Sequence, residues 1–173
     1  MAYKLSDKEK DAHKMMKELL RKPIKLKAPN FKPGRMILFT YRAKFDKNPY
    51  DMSPMIIVLG RSKKYTLGLN WNWCPPKARI KVMDYIMKKN QKNMDKGKEI
   101  DLDYTMIKSI IKGLGPIVRL YLNNRISPKG VPVPSYQYYK AIDLRSENFI
   151  GISSKEAWKV AKANKKKKKR GKK

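Results

Sequence analysis

Three runs decide the fold: RMILFTYRA at residues 35–43, PMIIVLGRS at 54–62 and KYTLGLN at 64–70. Each run is short, rich in β-branched and aromatic residues, and bounded by glycine, proline or polar residues, which is typical of β-strands. Residues 61–63 provide a hairpin turn between the second and third runs, whereas residues 44–53 form a longer loop. Successive strands of this kind predict a small, highly curved antiparallel sheet or barrel.

Residues 6–22 precede this region and have the pattern of an amphipathic helix. Ser6 with Glu9 matches a capping box, and Pro23 ends the helical pattern. The helix either packs on its own domain or docks on a partner protein. Its apolar residues recur at helical spacing and share one face: Ala12, Met15, Met16, Leu19 and Leu20.

Residues 23–34 contain three prolines and one glycine, and they predict an extended linker. Further along, three helices are predicted between the strands of the sheet. They run from Pro76 to about Asn90, from the N-cap Asp103 to Lys112 before Gly113, and from Pro116 to about Asn124.

The C-terminal part is predicted to contain one more strand and one more helix. Residues 127–134 (SPKGVPVP) indicate a loop, and Tyr136–Leu144 indicates the last strand. A final helix starts at Ser153 or Ser154 and leads into a lysine-rich, low-complexity tail that we expect to be disordered.

Together these elements predict an α+β fold. Its centre is a small Src-homology-like antiparallel β-barrel of about five strands with a helical insertion at about residues 76–126. An N-terminal amphipathic helix and a disordered basic tail flank the barrel. The predicted organisation is a helix at residues 1–22, a Pro-rich linker at 23–34, a barrel domain at 35–160 and a Lys-rich tail at 161–173.

The charge of the chain points to a polyanionic partner. The 173 residues include 43 Lys and Arg but only 14 Asp and Glu, for a net charge of +29. Residues 35–164 carry 25 basic and 10 acidic residues, and residues 165–173 (KKKKKRGKK) carry 8 basic and no acidic ones. The body is therefore basic without the tail, and we expect contact with nucleic acid.

Other residue types argue against most catalytic chemistry. Cys74 is the single cysteine and His13 the single histidine, so a thiolate metal cluster or a Cys/His or Ser/His catalytic arrangement is not expected. No apolar run reaches the roughly 20 residues of a membrane span, and the N-terminus has no apolar signal region. We expect a non-enzymatic protein with no metal, cofactor, membrane or small-molecule substrate.

The segment 67–79 (LGLNWNWCPPKAR) holds the candidate stacking residues. Trp71 and Trp73 alternate, so on a strand both would project from one face and could stack on bases while nearby cations hold phosphates. The alternative is that the two tryptophans pack the following helix against the barrel. The predicted nucleic-acid-binding residues are Lys63, Lys64, Trp71, Trp73, Lys77, Arg79, Lys81, Lys165, Lys166, Lys167, Lys168, Lys169, Arg170, Lys172 and Lys173.

One acidic cluster offers a competing hypothesis. Glu99, Asp101 and Asp103 would share one face of a strand and could hold the divalent ion of a nuclease. The alternative is that they complement the dipole at a helix N-terminus.

Several short motifs resemble a known family. Their order along the chain is Pro33-Gly34-x-Met36, Phe39-x-Tyr41, Tyr50-Asp51 with Pro54, Gly68-Leu69-Asn70, Pro75-Pro76-x-x-Arg79, Tyr139-x-Ala141-Ile142-x-Leu144, Glu147-x-Phe149 and Ala157-Trp158. This arrangement, over roughly residues 33–160, resembles small DNA end protector or head-completion proteins of T-even-like tailed bacteriophages. The resemblance implies a virion or DNA-packaging protein.

We therefore expect a phage protein, in the virion or the host cytoplasm, that binds duplex DNA or its ends largely independently of sequence through lysine–phosphate contacts. Helix 6–22 is a candidate contact with other virion proteins. The alternatives are a virion connector or scaffold acting through protein contacts, an RNA-binding or ribosome-associated protein, and the metal-dependent nuclease.

Overall fold

The computed structural model describes residues 5–42, 52–96, 100–113, 117–145 and 159. Its α-helices are α1 (Asp7–Leu20), α2 (Pro76–Asp95) and α3 (Tyr104–Ile110). Its strands are β1 (Ile24–Lys25), β2 (Met36–Tyr41), β3 (Met55–Arg61), β4 (Tyr65–Asn70), β5 (Val118–Leu122) and β6 (Ile126–Val133). Short 3-10 helices occupy Ala28–Phe31, Asn123–Arg125, Ser135–Gln137 and Lys140–Asp143.

The six strands form one antiparallel sheet in the order β1-β6-β2-β3-β4-β5. This confirms the α+β class. Among the described residues the sheet is open, with β1 and β5 at its edges, so the expected barrel closure is not observed. The sheet is nevertheless strongly curved. Strands β3 and β4 lie between β2 and β5, yet the Tyr41 hydroxyl on β2 accepts a hydrogen bond from the Leu122 amide on β5 at 3.2 Å. Irregular pairing within β2 and within β3 accompanies this curvature.

Both faces of the central strands are buried, which explains their nearly continuous apolar sequences. On one face, Met36, Leu38 and Ile57 join the main core with side chains from α1, α2 and α3. On the other face, Ile37 and Phe39 belong to a smaller cluster. The members of that cluster are Phe31, Ile37, Phe39, Ile56, Val58 and Tyr121.

Helix α1 begins with the predicted capping box. The Glu9 amide donates to Ser6 Oγ at 3.3 Å, and the Ser6 amide donates to the Glu9 carboxylate at 2.8 Å. The apolar face of α1 is buried in the main core through Ala12, Met15 and Met16. These three residues pack on the chain itself, as the packing alternative predicts, whereas Leu20 at the end of the same face is 47% exposed. Contact of helix 6–22 with other virion proteins stays a prediction.

Three further expectations are corrected by the structure. The segment predicted as a helix from Pro116 to about Asn124 contains β5, which pairs with β4. Residues 127–134, expected to be a loop, lie largely in β6, which pairs with β2 and β1. The expected strand Tyr136–Leu144 instead contains two 3-10 helices. The last strand of the sheet is therefore β6, which lies in the segment before the one predicted.

The predicted linker at residues 23–34 contains β1 and a 3-10 helix. Phe31 at the end of that helix is buried in the smaller cluster, and the Arg61 guanidinium lies 3.9 Å from the centre of its ring. Gly34 follows with φ +82°, and a Cβ there would lie 2.5 Å from a methyl of Ile100. The linker therefore packs closely against the sheet and the segment before α3.

The remaining expectations have mixed outcomes. Helices α2 and α3 start where the sequence predicted, with Asp103 accepting from the Thr105 amide at 2.8 Å as N-cap, although α2 continues to Asp95. The predicted final helix at Ser153 or Ser154 and the tail lie outside the described residues, apart from Lys159. Within the described residues, no helix combines the length and apolar character that crossing a bilayer requires.

Candidate nucleic-acid interface

The hairpin between β3 and β4 projects cations from one end of the sheet. Ser62 forms its turn, because Ser62 Oγ accepts from the Lys64 and Tyr65 amides at 3.3 and 3.0 Å. The Ser62 amide in turn donates to the Tyr65 carbonyl at 2.8 Å. Lys63 and Lys64 at the tip are exposed, so their ammonium groups are open to solvent and to a polyanion.

The connection between β5 and β6 lies against this hairpin. Asn123 Nδ2 donates to the carbonyls of Ser62 and Lys63 at 2.8 and 3.1 Å. Arg125 in the same connection exchanges hydrogen bonds with Arg42, which donates its amide to the Arg125 carbonyl at 3.1 Å. We call the resulting cluster the basic end of the sheet; it consists of Arg42, Arg61, Lys63, Lys64 and Arg125.

The sheet has an unusual distribution of charge. None of its six strands contains an Asp or Glu, whereas Lys or Arg occurs in β1, β3, β5 and β6. In the described residues the acidic positions belong to α1, α2, the segment before α3, and the 3-10 helix Lys140–Asp143. The positive potential of the sheet is therefore not offset by acidic residues on the strands themselves.

A second basic surface follows one side of α2. Lys77, Lys81, Lys88 and Lys92 are exposed, and at 100° per residue they fall within one narrow sector of the helix. The buried residues Val82, Met83 and Ile86 occupy the opposite side. Asp84 lies in the basic sector as well. This lysine stripe extends about 22 Å along the helix, from a rise of about 1.5 Å per residue.

Three of the predicted binding residues are buried and have structural roles. Trp71 and Trp73 have no exposed surface, so neither indole can stack on a base, and the packing alternative describes them correctly. Trp71 Nε1 donates to the Ala141 carbonyl at 2.7 Å. Trp73 packs in the main core, with the Arg119 guanidinium 5.0 Å from its ring.

The third, Arg79, is 3% exposed. Its Nε and Nη2 donate to the Trp71 carbonyl at 3.1 and 2.8 Å. Its Nη1 donates to the carbonyls of Ile142 and Leu144 at 3.1 and 2.5 Å. A guanidinium used in this way joins three chain segments and is not exposed to phosphate.

The predicted acidic cluster does not converge in the described residues. Asp103 caps α3, and Asp101 forms an ion pair with Lys89 at 2.8 Å, which raises the pKa of Lys89. Glu99 lies outside the described residues. Among the residues that the structure describes, no three His, Cys, Asp or Glu side chains form a group that could hold a metal ion.

The structure also shows exposed aromatic residues that the sequence analysis did not select. Tyr136 and Tyr139 are 77% and 50% exposed, beside the exposed Lys140. Their spacing of three residues is typical of one face of a helical turn, whereas the strand predicted over Tyr136–Leu144 would place them on opposite faces. The predicted tail residues Lys165–Lys169, Arg170, Lys172 and Lys173 lie outside the described residues.

The fold and its surfaces define a strongly basic α+β protein with acid-free strands and two basic surfaces, the basic end of the sheet and the lysine stripe of α2. The family model of the Phage T4 terminal DNA protecting protein matches residues 3–167. The chain belongs to this family of phage DNA end protectors. Comparisons with curated proteins and with solved structures found no match.

Proposed function

We propose that the protein binds the ends of double-stranded DNA in the infected cell or the virion, without catalysing a reaction on them. The binding is largely independent of sequence and rests on contacts of Lys and Arg with phosphates. The observation that carries this proposal is the acid-free sheet with its basic end, in a chain that belongs to a terminal DNA protecting family. Packaged DNA with free ends is the ligand that fits both the basic surface and the family description.

The contact surface is divided between two patches. Lys63 and Lys64 at the basic end form the primary patch, since the strands and turns described around them contribute further cations and no acid. Lys77 and Lys81 at the start of α2 form the second patch. The tail residues 165–170, 172 and 173 add sequence-independent affinity by releasing counterions from the duplex.

The small-barrel architecture remains part of the proposal. It is supported by the antiparallel strand order, by the 3-10 helix between β5 and β6, and by the contact of Tyr41 on β2 with Leu122 on β5. In a barrel of Src-homology type, the basic end would be one rim of the barrel.

The test compares binding to linear and closed-circular forms of one plasmid across a salt series. We expect the wild type to prefer the linear form. We expect Lys63→Glu/Lys64→Glu to lower affinity at least about tenfold at 0.1 M salt. The slope of log affinity against log salt should become shallower by about two, which corresponds to two lost phosphate contacts. Lys77→Glu/Lys81→Glu is expected to lower affinity as well, by a smaller factor.

The matched control is Lys14→Glu/Lys17→Glu, which makes the same change in net charge on α1, a helix that also carries acidic residues. If both test variants bind as tightly as this control, the two patches are not the contact surface. If the wild type binds neither plasmid form, the proposed function is wrong.

A further inference from the structure

Tyr136 and Tyr139 are large aromatic side chains that the fold leaves exposed to solvent. Their exposed fractions of 77% and 50% contrast with Tyr138 between them, which is fully buried. Within the described residues, no ring contact and no hydroxyl hydrogen bond involves either exposed tyrosine. Their ring faces are therefore open to a flat apolar ligand.

The helical backbone places Tyr136 and Tyr139 on one side of the turn. The segment is helical from Ser135 through Tyr139, with Tyr138 and Tyr139 in right-handed helical conformation. Residues three and four apart share a face in such a turn, so Tyr136, Tyr139 and Lys140 are grouped. We call these three residues the tyrosine platform. Asp143 follows one turn later in the same segment.

Tyr138 fixes this turn to the sheet. Its hydroxyl accepts from the Met36 amide at 2.9 Å and donates to the Gly34 carbonyl at 3.0 Å. The platform is therefore presented by anchored backbone, which lowers the entropy cost of stacking on a ligand.

Two cations lie close to the platform in the described residues. Lys140 is exposed within it. Pro134, just before this turn, lines a cleft of about 290 Å³ together with Arg35. An apolar flat surface flanked by positive charge matches a stacked base surrounded by phosphates.

We propose that the tyrosine platform stacks on the terminal base pair of duplex DNA. A duplex end differs from the middle of a duplex in one chemical respect that this platform can recognise: the outer face of the last base pair is unstacked and apolar. This inference rests on the proposed function, since the phosphate contacts supply the general affinity for DNA. The platform adds selection for an end.

The experiment uses the full chain and a blunt linear duplex with 2-aminopurine in its terminal pair, with closed-circular DNA as the end-free ligand. Wild type, Tyr136→Ala/Tyr139→Ala and Tyr136→Phe/Tyr139→Phe are compared. We expect the alanine variant to lose the terminal fluorescence change and about tenfold of its end affinity. Its affinity for closed-circular DNA and its salt dependence should be unchanged. The phenylalanine variant keeps the rings and should behave as wild type.

Tyr104→Ala is the control, because Tyr104 on α3 is also exposed and lies in a different element. Thermal unfolding of each variant confirms that the fold is retained. If the alanine variant keeps the wild-type preference for ends, the stacking proposal is overturned while DNA-end binding stands. If the wild type binds linear and circular DNA equally, stacking is overturned and only duplex binding remains. Absence of any binding overturns both.

Discussion

Arg79 illustrates how a cation in a basic protein can serve the fold and not the ligand. Its guanidinium is buried and donates to backbone carbonyls of Trp71, Ile142 and Leu144. The planar fork of arginine satisfies several acceptors at fixed angles, which a lysine ammonium cannot do. Arg79 thus holds the 3-10 segment after β6 against the turn between β4 and α2.

Replacing Arg79 should therefore affect stability first. Arg79→Ala is expected to lower the free energy of unfolding by about 3 kcal/mol or more, because it leaves the carbonyls of Trp71, Ile142 and Leu144 without their shared donor. Arg79→Lys should recover only a small part of this loss. Urea denaturation followed by circular dichroism measures the effect, with Lys81→Ala as an exposed control expected to change stability by less than about 0.5 kcal/mol. A stable Arg79→Lys with weakened DNA binding would instead identify Arg79 as a phosphate contact.

At the scale of secondary-structure elements, the central strands were predictable because their local signals agree. Strands β2, β3 and β4 combine β-branched composition with clear breakers, and α1 has both a capping box and an apolar face. The errors begin at β5, where apolar residues in VRLYL fit a helix as well as a strand. Pairing with β4, a contact distant in sequence, decides between them.

Strand β6 was missed for a different physical reason. It contains Pro128 and Pro132, which argue against a strand in an isolated sequence. The neighbouring β1 is only two residues long and pairs at Lys129 and Gly130. Among the described strands none pairs with the β1 side of β6 at Pro132, and a residue without an amide hydrogen is tolerated there. Gly130 is required by close packing, since a Cβ would lie 2.6 Å from the Leu38 carbonyl oxygen.

The predicted binding residues divide in the same way. Exposed lysines in turns and on α2 could be selected from sequence, since charged side chains seldom occupy a core. The positions of Trp71 and Trp73 could not, because the sequence allows both an outward and an inward face for them. Only tertiary packing of α2 against the sheet buries both indoles and leaves Tyr136 and Tyr139 as the exposed aromatic pair.

The attachment of the 3-10 segment Ser135–Gln137 to β2 depends on Tyr138 and should depend on pH. Tyr138→Phe removes the partner of the Met36 amide and the Gly34 carbonyl, which should cost about 1 to 3 kcal/mol at neutral pH. Burial raises the pKa of Tyr138 to about 12. The folded state therefore holds this proton more tightly than the unfolded state, and its contribution is complete below about pH 10 and lost as the pH approaches 12.

Denaturant midpoints from pH 8 to 12 measure this dependence. Burial also raises the pKa of Cys74 to about 12, so both proteins retain Cys74 and the comparison is the difference between their slopes. The wild type should lose stability more steeply than Tyr138→Phe above pH 10. Parallel slopes would mean that Tyr138 ionises as easily in the folded state as in the unfolded state.

For the whole molecule, the arrangement of charge separates two tasks. Acidic residues occur on α1 and α2, where they partly balance the cations, while the strands carry none. A tail of eight cations at residues 165–173 would bind any polyanion, so under the proposed function it would supply affinity without selecting a duplex end. Selection among forms of DNA has to come from the folded body, where positions are fixed.

A chain ending at Asn164 tests this division of labour. We expect it to bind DNA more weakly than the full chain and to keep its preference for linear over closed-circular DNA. The slope of log affinity against log salt should become shallower by up to about seven, because the tail's phosphate contacts are lost. Titrations of both plasmid forms between low and physiological salt provide the measurement. Retained preference would place recognition in the body, because a run of cations binds phosphates equally well at an end and in the middle of a duplex. Complete loss of binding would instead make the body a docking module for other virion proteins, with DNA contact confined to the tail.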